Sequence, residues 1–157
     1  MPMLANPKFW LLSLVAIGLI LFLALLALSF TAKQPARPES ISQLLPCPDS
    51  PNCVCSEETR SSHVIAPLAY AGEATVAWSR LKSVLAELGA TEVRADDSYL
   101  WFEFRTSIFR FTDDVECRLN QDAQQIEIRS ASRVGRSDLG ANKKRVEAIR
   151  AAFAEAK

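Results

Sequence analysis

Apolar positions divide the chain sharply. From Phe9 to Phe30 runs a 22-residue stretch without a charge, whose only polar members are Ser13 and Ser29. As a helix it spans about 33 Å, enough to cross a hydrocarbon core of about 30 Å. Lys8 bounds it on one side and Lys33 and Arg37 on the other, and Trp10 sits near one end, where an indole suits the headgroup layer. The run is apolar all round, so it is a poor fit to an amphipathic core helix. It also exceeds the roughly 7–15 apolar residues of a signal peptide. The pattern therefore predicts an uncleaved membrane anchor. A signal peptide cut after Ser29, with Ala27 and Ser29 as the small residues, is the rival reading.

Beyond the run the pattern changes. Pro35, Pro38 and Pro46, with Ser40 and Ser42, suit an extended tether. The expected organisation is an anchor over 1–32, a linker over 33–46 and one domain over 47–157. In that domain, His63 to Leu68 reads as a short strand ending at Pro67. Ala74 to Leu88 reads as a helix, with Val76, Leu81, Val84, Leu85 and Leu88 as its stripe and Gly89 as its stop. Thr91 to Ala95 and Tyr99 to Arg105 read as strands joined by Asp96-Asp97-Ser98. From Phe109 to Leu119 the residues alternate: Phe109, Phe111, Val115, Cys117 and Leu119 share one face, and Arg110, Thr112, Asp114, Glu116 and Arg118 the other. Asn120-Gln121-Asp122 turns the chain into a return strand from Gln125 to Ala131. Ser137 or Asp138 can cap a last helix that carries Leu139, Val146, Ile149 and Phe153 on one stripe. Short turns imply antiparallel pairing, and two amphipathic helices must bury their stripes. The prediction is an α+β fold: an antiparallel sheet of about four to five strands with two helices on one face, preceded by one transmembrane helix.

Composition adds exclusions. The 157 residues carry 18 basic and 18 acidic side chains, so no basic excess speaks for nucleic acid. Counting topology-setting charges gives near parity, the initiating amine and Lys8 against Lys33 and Arg37, offset weakly by Glu39. Cys47 lies too far beyond the apolar run, and behind Pro46, to be a lipidation site.

Two stretches stand apart from core patterning. One is Cys47-Pro48-Asp49-Ser50-Pro51-Asn52-Cys53. The other runs from Phe109-Arg110-Phe111-Thr112-Asp113-Asp114-Val115-Glu116 through Arg129-Ser130-Ala131-Ser132-Arg133-Val134-Gly135-Arg136-Ser137-Asp138-Leu139-Gly140-Ala141-Asn142 to Arg145. Together they resemble the DUF1499 family, a domain of unknown function, over about residues 44 to 153. Members often carry export signals or membrane segments, so the resemblance implies a domain outside the cytoplasm. It brings no activity with it. The chain departs from the family pattern at Cys55 and Cys117, and two extra cysteines in one sequence suggest a second pair.

The chemistry of the motifs leaves several readings. Cys47 and Cys53 close a short loop stiffened by Pro48 and Pro51, which suits a disulfide in an oxidising compartment. Cys47, Cys53 and Cys55 with His63 would alternatively make a three-thiolate, one-imidazole zinc set, and Cys-x-Cys would suit Cu(I). Asp113 falls on the apolar face and must be paired there. Asp114 and Glu116 lie together on the other face, as an acid–base pair or as partners of Arg110, Arg118, Arg129 or Arg133. His63 completes a hydrolase-type alternative with Asp113, Asp114 and Glu116. Arg129, Arg133 and Arg136, with Ser137, Asn142, Gly135 and Gly140, converge on a helix start, where guanidinium forks and free N–H groups suit an anion. The Gly-Lys-Ser/Thr signature of a P-loop is missing, and no cofactor is expected. The sequence thus predicts a single-pass protein of the cell (inner) membrane with an extracytoplasmic binding or scaffolding domain. Its contact residues are Arg129, Arg133, Arg136, Ser137 and Asn142, with Asp114 as orienter. Its partners are the bilayer, through Phe9–Phe30, and an anionic ligand, lipid headgroup or envelope protein.

Overall fold

The computed structural model describes residues 7–37 and 41–156. The initiating amine, Pro38, Glu39 and Ser40, which enter the charge count and the tether, lie outside them. Helix α1 (Pro7–Phe30) has no buried residue. Its sequence is uniformly apolar, so its pattern distinguishes no face, and where it approaches the domain, at Phe22, Leu25 and Leu28, its side chains stay exposed. It is long and apolar enough to cross a membrane, or to be a signal sequence.

The rest is an α+β domain. Its strands are β1 (Cys53–Cys55), β2 (Leu68–Ala69), β3 (Thr91–Ala95), β4 (Tyr99–Arg105), β5 (Thr112–Asn120) and β6 (Gln125–Ser132); helix α2 (Ala74–Glu87) precedes β3 and α3 (Ala141–Glu155) follows β6. The sheet order is β1-β6-β5-β4-β3, with every neighbouring pair antiparallel. β2 also pairs with β6, farther along the edge that β1 uses. Alternation along β4 explains its adjacent aromatics. Leu100 and Phe102 enter the core under the helices, whereas Tyr99 and Trp101 point to the other face. On the helix side, Trp78, Leu81 and Leu85 of α2 and Val146, Ile149 and Phe153 of α3 pack on Val115, Cys117, Leu119, Ile126 and Ile128. The opposite face is covered by chain rather than by helices. Leu44, Cys47 and Cys53 pack there against Tyr99, Trp101 and Ala131.

Four expectations are corrected. The strand expected over His63–Leu68 is broken into a turn at His63, a single parallel bridge from Val64 to Cys55, an irregular stretch and the start of β2 at Leu68. The N–H groups of His63 and Val64 both bond to the Arg60 carbonyl, and the Ala66 and Pro67 carbonyls accept from the Arg150 guanidinium, so continuous pairing is left to Leu68 and Ala69. The strand expected from Phe109 begins at Thr112 instead. Thr106 and Phe111 close a loop, with Arg110 at φ 55°, which lifts Phe109 and Phe111 out of the alternation. The stripe of α2 is rotated: Ala77 and Trp78 are buried, while Val76 and Leu88 are exposed, because the indole N–H bonds to the Asp96 carbonyl and turns that side inward. Leu139 is not on the α3 stripe. It precedes the helix at φ 53° and is 90% exposed. The Asp138 carboxylate instead takes the N–H groups of Gly140 and Asn142, which starts the helix at Ala141.

Candidate functional site

β5 carries consecutive acids, Asp113 and Asp114, and its pleat sends them to opposite faces. Asp114 and Glu116 emerge on the face away from the helices. Register sets Glu103 of β4 directly across from Asp114, and Arg129 of β6 directly across from Glu116. Two facing carboxylates repel, so Glu103 and Asp114 need a cation between them. Arg133 supplies it, reaching Glu103 Oε1 and both oxygens of Asp114. Trp101 Nε1 adds a 2.7 Å bond to Asp114.

Glu116 is the second node. It is 1% exposed and accepts from Arg129 at 2.7 Å, from the Tyr99 hydroxyl at 2.7 Å, and from Arg37 Nε and Nη2 at 2.6 Å each. Arg37 comes from the segment after α1, and its guanidinium also lies 4.9 Å over the Trp101 ring. Burial pulls the Arg37 pKa down, but the bond to Glu116 and its charge outweigh that and leave it above its ordinary value. Tyr99 is raised by burial first and by the Glu116 charge second, so its phenol stays a donor. Three carboxylates, Glu103, Asp114 and Glu116, thus face three guanidiniums, Arg37, Arg129 and Arg133. Buried charges in this number persist only when paired and hydrogen-bonded.

Beside this network a cavity of about 210 Å³ opens between the post-α1 segment and the sheet, walled by Lys33, Arg37, Arg129, Arg133 and Asp114. Arg129 also has a buried Nε without a hydrogen-bond partner.

Asp113, on the helix face, meets Arg145 of α3 at 2.5 Å, and Arg145 also stacks 5.0 Å from the Phe104 ring centre. Next to it Asn142 is fully buried. Its amide donates to Asn52 O, Ser132 Oγ and Asp138, and its oxygen accepts from Ser130 and Arg145. This knot joins the β6–α3 loop to the segment before β1.

The sequence-predicted residues therefore separate. Arg129, Arg133 and Asp114 meet at the cavity. Asn142 belongs to the knot on the other face. Arg136 and Ser137 are exposed in the β6–α3 loop, and Arg136 enters no ion pair among the described residues. Cys47 and Cys53 are joined, with a Cα–Cα distance of 5.6 Å. Thus two of the four candidate metal ligands are not thiolates, and no group of three or more possible ligands occurs among the described residues. The second cysteine pair is corrected. Cys55 and Cys117 are free, because Cys55 lies on the face covered by the Cys47 segment and Cys117 lies under the helices. Burial pushes the Cys55 thiol up to about 11 and the Cys117 thiol higher still. The acid–base set is not assembled either: Asp113 is on the opposite face from Asp114 and Glu116, and His63 Nδ1 is bonded to the Cys53 carbonyl at 3.0 Å.

Sequence reasoning missed Lys33, Arg37, Tyr99, Trp101 and Glu103 as part of this site. For β4 a signal existed: Tyr99, Trp101 and Glu103 alternate with Leu100 and Phe102, which marks a second, polar-aromatic face. For Arg37 none existed, since its partner lies 79 residues away.

The family model described as "Protein of unknown function (DUF1499)" matches residues 43–153. The chain belongs to the DUF1499 family. The matched DUF1499 segment contains every strand and both packed helices except the last two residues of α3, and it holds all six clustered side chains but Arg37. No curated protein matches the chain.

Proposed function

We propose that this DUF1499 protein is a single-pass membrane protein whose domain, on the extracytoplasmic side, binds an anionic group at the cavity between the post-α1 segment and the sheet. The observation that carries this reading is a cavity whose wall holds four cations, Lys33, Arg37, Arg129 and Arg133, against one carboxylate, Asp114. An anion seated there would meet Lys33 and the guanidinium groups of the wall. Lys33 follows α1 by three residues, so the mouth of the cavity lies close to the level of a lipid headgroup if α1 spans. The Cys47–Cys53 disulfide supports an oxidising compartment. The length of α1 supports an anchor over a signal sequence.

The test uses the full chain in phosphatidylcholine nanodiscs, titrated with inorganic phosphate and with glycerol phosphate. Trp101 lies against Arg37 and Asp114, so its fluorescence should change saturably. The change should weaken in Lys33→Glu, which reverses a charge at an exposed position outside the ion-pair network. A flat titration with both probes, in protein that melts cooperatively, refutes the anion reading. A response to glycerol phosphate alone would identify a lipid headgroup as the source of the anion.

A further inference from the structure

We propose that the β4–β5 loop and the β6–α3 loop form a second membrane contact, an apolar tip that enters the headgroup layer of the bilayer that α1 crosses. This rests on the anchor reading above but not on the anion site.

Both loops lie at the same end of the antiparallel sheet, where β5 starts and β6 stops. They present apolar side chains that the core does not use. Ile108 is 66% exposed and Leu139 is 90% exposed, while Phe109 and Phe111 are half-buried. At Arg110 and Leu139 the backbone takes φ of 55° and 53°, a conformation that side chains with a Cβ avoid. The loop around Leu139 thus accepts strain while holding a leucine in the open. The charges complement an anionic surface. Arg110 and Arg136 are exposed on these loops, and Arg105, exposed at the end of β4, is paired with Glu103 at 2.8 Å. The neighbouring acids are engaged: Glu103 with Arg133, Asp113 with Arg145, and Asp138 with the start of α3.

The position of α1 puts this tip at the membrane. The Phe109 ring lies 5.6 Å from that of Phe22, and Leu25 and Leu28 face Phe111 and Val134 across a cavity of about 290 Å³. Phe22 precedes the end of α1 by eight residues, roughly 12 Å along the axis. The tip therefore flanks the last two to three turns of the helix; with α1 centred on a core of about 30 Å, Phe22 lies about 9 Å inside the hydrocarbon edge. Arg37 keeps it there. Six residues separate Phe30 from Arg37, whose guanidinium is locked to Glu116, and these seven steps reach at most about 25 Å. Amphipathic elements at an interface bury their apolar side about 5–10 Å deep while basic residues meet lipid phosphates.

The experiment uses the full chain in nanodiscs of phosphatidylcholine and phosphatidylglycerol, with an environment-sensitive label on Ile108→Cys or on Gln121→Cys. Gln121 is exposed in the β5–β6 turn, at the opposite end of the sheet. The native free thiols, Cys55 and Cys117, are buried, which directs the label to the introduced cysteine. Lipids brominated on the acyl chain should quench the label at 108 by at least about twofold and leave that at 121 unchanged. A label at 108 as wet and unquenched as that at 121, in a chain whose intact mass retains Phe9–Phe30, overturns the inference and leaves the anchor standing. A label at 108 shielded from water and bromine alike assigns the tip to protein contact and also overturns it. An intact mass ending the leader near Ser29 overturns the anchor reading, and this inference with it.

Discussion

Glu116→Gln tests whether the buried charge network holds the post-α1 segment on the domain. The substitution keeps the side-chain shape and removes one negative charge. In the parent, Glu116 is the ion-pair partner of both Arg37 and Arg129, and the side chains of Glu116 and Arg37 are 1% and 3% exposed. Solvent screening is therefore slight, unlike in a surface pair. Removing one partner of a buried pair leaves an uncompensated charge, at a cost of about 3–5 kcal/mol. That is a fifth or more of the roughly 5–15 kcal/mol by which such domains are stable. With a urea dependence of about 2 kcal/mol/M, the midpoint should fall by roughly 2 M. Arg37→Met should cost less, since Glu116 then keeps Arg129 and Tyr99. Glu92→Gln is the control, because the Lys82–Glu92 pair is 47% and 44% exposed and should be worth under about 1 kcal/mol. The assay is urea unfolding of the full chain in nanodiscs, followed by tryptophan fluorescence. A Glu116→Gln midpoint indistinguishable from that of Glu92→Gln, or an Arg37→Met loss larger than that of Glu116→Gln, would refute the reasoning.

Three more predictions address the rest of the domain. Asn142→Ala should destabilise by about 2–4 kcal/mol in urea unfolding, because it leaves the buried Ser130 hydroxyl without its acceptor and removes one of the two donors to the Asn52 carbonyl. Opening the Cys47–Cys53 loop, of sequence separation 6, should cost about 2 kcal/mol by chain entropy, read by comparing melts with and without reductant. In the same samples a maleimide should reach Cys55 and Cys117 only after denaturation, since both are buried. Stability should fall on alkaline titration. The Cys55 thiol is raised from 9.0 to about 11 in the fold, so its contribution is complete below pH 9 and disappears as pH rises towards about 11; Tyr99, also raised, adds a loss above pH 10. Cys55→Ala should flatten the lower part of that slope, and an unchanged slope would remove Cys55 as its cause.

Sequence alone determined whatever depends on neighbours along the chain. The apolar run of α1 needs no partner to be helical and membrane-compatible. The strands Thr91–Ala95 and Tyr99–Arg105 follow from alternation closed by local turns, and the α3 stripe of Val146, Ile149 and Phe153 follows from helical spacing. The split of Asp113 from Asp114 also follows from the pleat. Tertiary structure decided whatever joins distant segments. Short β1 has no periodicity to read; all three of its residues are buried, and it exists because β6 offers a free edge. Arg37 is an unremarkable tether residue until Glu116 appears 79 positions later. The arginines of the second motif looked equivalent, yet β6 sends Arg129 and Arg133 to the buried carboxylates and the loop leaves Arg136 in solvent. The placement of Cys55 and Cys117 on opposite faces was settled in the same way. Facing depends on strand register and on which edge is covered, and both are set by long-range pairing, which no local spacing encodes.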